Sequence, residues 1–168
     1  VLTEFASLDE QFTDIDARLN SIASNGVPNY FGEQRFGHDC GNLHQAQDLI
    51  ERDQLKGNRR GTGIYLSAAR SWLFNLVLAE RLRQNSWSQC FEHESEPSGP
   101  LWGRGRSAAS CDLETLEQGV LEPWQSWCYA LEHAGLKQER RALILKPQNM
   151  HWQRLAVDQL ELSFDLSG

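Results

Sequence analysis

From Gly26 to Gly37 the chain cannot continue one regular element. Pro28 has no backbone N–H and biases Val27 away from helical angles. The residues that follow, Asn29-Tyr30-Phe31-Gly32-Glu33-Gln34-Arg35-Phe36-Gly37, bring together three aromatics, two glycines, an amide and an arginine. Ordinary core segments are not built this way. The glycines permit positive φ or close backbone approach, Tyr30, Phe31 and Phe36 offer π faces, and Arg35 offers a planar cation. Such a set suits stacking against a nucleic-acid base beside a phosphate. A glycine-punctuated hairpin whose aromatics fill a core has the same spacing, so both readings stand at this point.

The flanks are more regular. Residues 1–5 read as the tail of a strand. Ser7 is placed to cap a helix in which Leu8, Phe12, Ile15, Leu19 and Ile22 recur at steps of four and three, with Asp9, Glu10, Asp14 and Asp16 outward and Gly26 as its stop. After the aromatic run, a helix is predicted from about Asn42 to Leu55 and a longer one from about Ile64 to Gln84. The basic connection between them, residues 56–63, carries glycines, Arg59 and Arg60 to a helix N-terminus. It is either a phosphate site or a solvated linker, and it lacks the pattern of a nucleotide-binding P-loop.

Residues 85–110, rich in Ser, Gly, Pro and charge, read as irregular structure or a boundary. Helical periodicity returns over 112–133, where Leu113, Leu116, Val120, Trp124, Trp127 and Leu131 share one side and Pro123 marks a break. The period then drops to two over 142–146 and 159–166, as in strands. Together these segments predict an α+β fold.

The chain has 168 residues, is 40% apolar, and so can bury a core of ordinary size. Its formal charge of −7 excludes a protein that coats nucleic acid indiscriminately, but not a local basic face. Basic residues gather at Arg52, Lys56, Arg59 and Arg60, at Arg104 and Arg106, and at Lys137, Arg140 and Arg141; each cluster equally fits a solvated face. Cys40, Cys90, Cys111 and Cys128 show no close pairing, which fits a reduced, cytoplasmic setting. No apolar run is long enough to span a membrane. His38, Cys40 and His44 lack a fourth ligand at standard zinc spacing, and no metal is expected.

Residues 26–37, Gly-Val-Pro-Asn-Tyr-Phe-Gly-Glu-Gln-Arg-Phe-Gly, resemble the signature of the TruD family of tRNA pseudouridine synthases. Tyr65-Leu66-Ser67-Ala68-Ala69-Arg70-Ser71-Trp72-Leu73-Phe74-Asn75 is similar to the helix that follows it in that family. Gly99-Pro100-Leu101-Trp102-Gly103 and Leu160-Glu161-Leu162-Ser163-Phe164 occur in the family's order as well. The resemblance covers nearly the whole chain. It implies a mostly helical inserted TRUD domain over 26–136, flanked by pieces of a pseudouridine-synthase catalytic domain at 1–25 and 137–168. It also implies a substrate, uridine 13 of tRNA, and a chemistry that needs no cofactor, in which an aspartate breaks the glycosidic bond and the uracil rotates and rejoins the ribose through carbon.

By the same resemblance the segment Asn29 to Gly37 lies beside the active-site cleft. Asn29, Tyr30, Phe31, Gln34, Arg35 and Phe36 are the expected substrate contacts, with Phe31 and Arg35 foremost, and Arg59, Arg60 and Arg70 lie along the tRNA path. The family's aspartate sits in a Gly-Leu-Lys-Asp type motif upstream of the signature, and that motif does not occur in this sequence. The look-alike Ala134-Gly135-Leu136-Lys137-Gln138 lies downstream and carries an amide where a carboxylate is required; an amide can neither attack an anomeric carbon nor act as a base. Glu33 reads as a solvated side chain, and no Ser/His/Asp arrangement has supporting order.

The expectation is therefore a carboxy-proximal portion of a TruD-like enzyme. It would act as a monomer, away from membranes, on tRNA, and together with a catalytic half of the same polypeptide. Family members carry a longer stretch where this chain has 90–97, so either that element is missing here or part of the chain is. The alternative is a non-catalytic RNA-binding TRUD-like module.

Overall fold

A computed structural model describes residues 8–54, 61–156 and 158–166. The expected strand over 1–5, the Ser7 cap and the basic residues 56–60 lie outside the described residues. The fold mixes helix and strand. In chain order the principal elements are α1 (Leu8–Asn25), α2 (Gly41–Glu51), α3 (Gly63–Arg83), β1 (Ser98–Leu101), α4 (Cys111–Leu121), α5 (Gln125–His133), β2 (Glu139–Ala142), β3 (Gln148–Ala156) and β4 (Gln159–Asp165). They fall into two compact units, one made of Val1–Val27 with Leu145–Gly168 and the other of Pro28–Ile144.

The larger unit is built round α3. Its sequence is apolar on more than one side, as a helix packed on several sides must be. Leu66, Ala69, Leu73 and Val77 are buried with Ala46 of α2, Leu121 of α4, and Trp127, Cys128 and Leu131 of α5. Phe74 and Leu78 instead pack with Leu143, Phe31 and Leu101. Arg81 and Arg83 place positive charge in the last turn of α3, where it complements the helix dipole. The expected break at Pro123 appears as a 3-10 turn, Glu122–Trp124, between α4 and α5.

The region expected to be irregular, 85–110, does consist largely of turns, yet it encloses the buried strand β1. This strand pairs antiparallel with β2, Ser98 opposite Ala142 and Leu101 opposite Glu139. Glu94 fixes the entry to β1 by accepting from the Phe91 and Ser98 backbone N–H groups at 2.8 and 2.9 Å.

Helix α2 ends at Glu51, short of the expected Leu55. Asp53 turns left-handed, at φ 52. Its N–H donates to Ile50 O at 3.0 Å, and the Gln54 N–H donates to Leu49 O at 2.8 Å, which closes a Schellman motif. Asn85 ends α3 the same way, with Asn85 N–H on Leu82 O and Ser86 N–H on Arg81 O.

In the smaller unit α1 has the predicted extent. Gly26, at φ 76, ends it with its N–H on Ile22 O. The expected strand over 142–146 is split, as β2 stops at Ala142 and a two-residue strand follows at Ile144–Leu145. The strand over 159–166 is confirmed as β4, and β3, which the sequence reading did not predict, pairs with it as an antiparallel hairpin. Trp152 of β3 donates its indole N–H to the Asp16 carboxylate of α1 at 3.0 Å. Among the described residues no helix is long and apolar enough to cross a membrane.

Candidate functional site

The aromatic run takes the form of a pinned loop with a 3-10 turn, Glu33–Phe36, and a second one, His38–Cys40. It is not a hairpin. Its first residues are held as if they formed a short strand: the Asn29 N–H donates to Leu143 O at 2.8 Å, and the Asn29 side chain donates to Ala142 O at 2.9 Å. Asn75, from the middle of α3, then grips Phe31 with both ends of its amide. Its Oδ1 accepts from the Phe31 N–H at 3.0 Å and its Nδ2 donates to Phe31 O at 2.9 Å.

The Phe31 ring is thereby set among cations. The guanidinium carbon of Arg141 lies 4.3 Å from its centroid and that of Arg35 lies 5.3 Å away, while Phe74 meets it edge-on at 5.5 Å. A cation over an aromatic face is attracted by the ring quadrupole. Arg141 is anchored through Nη2 on Asn29 Oδ1 at 2.8 Å, and Arg35 through Nη1 on Ser67 Oγ at 3.0 Å. Burial, and secondarily repulsion from Arg35, lowers the pKa of Arg141 from its usual value. Gly37, at φ 79, turns the chain where an added Cβ would come within 2.9 Å of the Asn42 side chain, and that side chain donates to Arg35 O at 3.2 Å.

The expected contacts divide by exposure. Tyr30, 42% exposed, and Gln34 and Arg35 face outward, with Phe31 half-buried beside them. Burial raises the Tyr30 phenol pKa. Phe36 does not offer its ring outward: it is buried and meets Trp72 edge-on at 6.1 Å, at the end of an edge-to-face series that continues through Trp124 to Trp127. Asn29 is buried as well, its amide used on Ala142 and Arg141.

Arg70 also turns inward, where the sequence reading set it along an RNA path. It donates to the carbonyls of Leu101, Trp102 and Lys137 at 2.8, 2.9 and 2.6 Å and pairs with Glu139 at 3.2 Å. The reason is local: Gly103 lies so near the 137 backbone that a Cβ there would sit 2.5 Å from Lys137 O. This close approach gathers three carbonyls around one guanidinium. Arg59 and Arg60 lie outside the described residues.

Two cavities flank the Arg35 side chain, and Phe31 and Arg35 line both. One, of 480 Å³, also has Tyr30, Gly32, Gln34 and Ile64 in its wall. The other, of 580 Å³, reaches to the start of α3 and to the turn after α5. Gln138, the amide of the look-alike motif, accepts from the Gly103 N–H at 2.7 Å and serves as a backbone clamp. Among the described residues no group of three or more His, Cys, Asp and Glu side chains is arranged to hold a metal ion.

The model of the family described as tRNA pseudouridine synthase D (TruD) matches residues 2–58. The chain is 47% identical over 158 residues to a protein of Cellvibrio japonicus named tRNA pseudouridine synthase D, covering 93% of this chain and 47% of that protein. It belongs to the TruD family. TruD proteins so named from Hydrogenovibrio crunogenus and Marinobacter nauticus are 41% and 42% identical, covering 90% and 91% of this chain and 52% and 47% of those proteins. The chain spans about half the length of the curated relatives it matches.

The short 90–97 stretch has a counterpart within the TruD family. An alignment of 158 residues over 93% of the chain leaves no room for a long insertion in the Cellvibrio protein, whereas the 179-residue alignment with the Hydrogenovibrio protein does. Sequence reasoning missed the clamps, Asn75 and Arg141. Asn75 closes the second family segment and could have been singled out as a lone amide in an apolar stretch; Arg141 was visible only as part of a basic cluster.

Proposed function

We propose that this chain supplies the tRNA-facing part of a tRNA pseudouridine synthase acting on uridine 13. On this reading residues 26–136 form the inserted TRUD domain, and 1–25 and 137–168 belong to the catalytic domain. The aspartate that breaks the glycosidic bond comes from a catalytic half outside the chain. The uridine is flipped out of the tRNA and held against the exposed face of Phe31 while that aspartate acts. Tyr30 and Gln34 border the base, and Arg35 meets the phosphate beside it. The enzyme is a cytoplasmic monomer and uses no cofactor.

The observation that carries the proposal is the Phe31 clamp. A half-exposed ring whose backbone is gripped at both N–H and carbonyl by Asn75, and which has two guanidiniums within 5.3 Å of its centroid, is a platform built for a planar, negatively flanked ligand. Simple packing would need no such clamp. The test is to incubate the chain with tRNA and to measure both binding and pseudouridine by mass spectrometry. Binding that Phe31→Ala weakens by about tenfold or more is expected, since base–aromatic stacking is worth roughly 1–3 kcal/mol. No turnover is expected without the catalytic half. Turnover by the chain alone would refute the assignment of the aspartate elsewhere. Binding that stays non-catalytic after the other half is added would instead favour a free-standing RNA-binding module.

A further inference from the structure

We propose that the 580 Å³ cavity is a second nucleotide pocket, one that takes the ribonucleotide adjacent to the one stacked on Phe31. The proposal rests on the RNA-binding reading above and extends it from one nucleotide to two. The cavity falls within the usual size of ligand pockets, about 300–1,000 Å³. Its apolar lining includes Leu66, Leu101 and Leu136, enough for the face of a base. Its polar lining includes Arg35, Ser67, Arg70 and His133, and no carboxylate lines it, so it favours an anion.

The cations keep donors in reserve. Arg70 spends Nε and Nη2 on its carbonyls and Glu139, and Arg35 spends Nη1 on Ser67. Among the described residues, Arg70 Nη1 and Arg35 Nη2 have no hydrogen-bond partner. His133 is oriented by its Nδ1 on Tyr129 O at 2.7 Å and by stacking on the Tyr129 ring at 4.1 Å, which leaves Nε2 for a ligand.

Continuity with the first cavity argues for a neighbouring nucleotide over a free small molecule. Phe31 and Arg35 line both spaces, so the two adjoin at these side chains. A strand laid across Arg35 would set one base on each side and the linking phosphate at the guanidinium. This is the alternation of cation and stacking surface that single-stranded binding grooves use.

The experiment compares uridine 5′-monophosphate with the dinucleotide pUpU on the full chain, following backbone amides by NMR. Gly63→Glu is the variant. An added Cβ at Gly63 meets nothing within 4 Å, and a carboxylate at the start of α3 suits the helix dipole, so the fold is kept while negative charge enters the cavity. The expected result is that pUpU binds about tenfold tighter than the mononucleotide, the worth of one further stacked base. It shifts residues 30–35, 63–71 and 133–136 together, and Gly63→Glu abolishes the advantage without altering mononucleotide affinity. If pUpU shifts residues 30–35 alone, or if its advantage survives Gly63→Glu, the second pocket is overturned and the RNA-binding reading stands. If neither ligand shifts residues 30–35, both fall.

Discussion

Replacing Asn75 by alanine should loosen the platform without touching its ring. The substitution removes two hydrogen bonds, at 3.0 and 2.9 Å, and strands the Phe31 N–H and carbonyl. A backbone group left unsatisfied in the interior costs roughly 1–3 kcal/mol; because Phe31 is half-buried, water recovers part of this, and about 2–3 kcal/mol in all is the working figure. For a domain of this size that corresponds to a fall in Tm of roughly 6–12 °C. Urea denaturation followed by circular dichroism measures the first quantity, and tRNA affinity at fixed salt measures the functional consequence, a loss in step with the loosened ring. Asn75→Asp sharpens the argument: it keeps an acceptor for the Phe31 N–H but sets a carboxylate oxygen against the Phe31 carbonyl, so it should cost at least as much as alanine. If Asn75→Ala costs less than about 0.5 kcal/mol, water already satisfies Phe31 and the clamp explains nothing.

Two further outcomes follow from buried groups. Burial pushes the Cys128 thiol up to about 12, while Cys40, Cys90 and Cys111 are exposed, so a thiol reagent at pH 8 should titrate those three promptly and reach Cys128 only in denaturant; prompt reaction of all four would contradict its place under α3. Glu117 is buried against Arg140, which donates to both its oxygens at 2.7 and 3.2 Å, yet burial outweighs this pairing and raises its pKa from the ordinary 4.5. The folded state therefore holds the proton more tightly than the unfolded one. Glu117's contribution to stability is greatest below 4.5 and declines as pH rises through its raised folded value, and Glu117→Gln should flatten stability measured across that window.

Helix α3 and the break at Pro123 were legible because their signals are local: a long run of apolar and helix-forming residues without a breaker, and a residue that cannot donate. The early end of α2 was not, since it depends on Asp53 adopting a conformation more typical of glycine. β3 escaped notice because its alternation is broken by irregularities between Gln148 and His151 and between Arg154 and Ala156. In the candidate site, composition marked Tyr30, Phe31, Phe36 and Arg35 alike, and the family resemblance put Phe31 and Arg35 foremost. Phe36 shows the limit of that approach, since residue type alone does not tell an outward ring from one that completes a tryptophan cluster. Arg70 shows it again, because what claims a guanidinium is the position of three carbonyls brought in from 101, 102 and 137.

The bond from Asn29 to Ala142 joins positions 113 residues apart. On a ribosome, α2 and α3 can form from contacts within their own sequence and Asn75 can then clamp Phe31, but the anchors of Asn29 and the Arg141 guanidinium near the Phe31 ring are absent until residues 141–143 emerge. The surface expected to meet RNA is thus one of the last parts of the larger unit to be organised during synthesis. A nascent chain halted before residue 141 would carry the aromatic run only half-pinned, held by Asn75 but without the Asn29 anchors and the Arg141 cation.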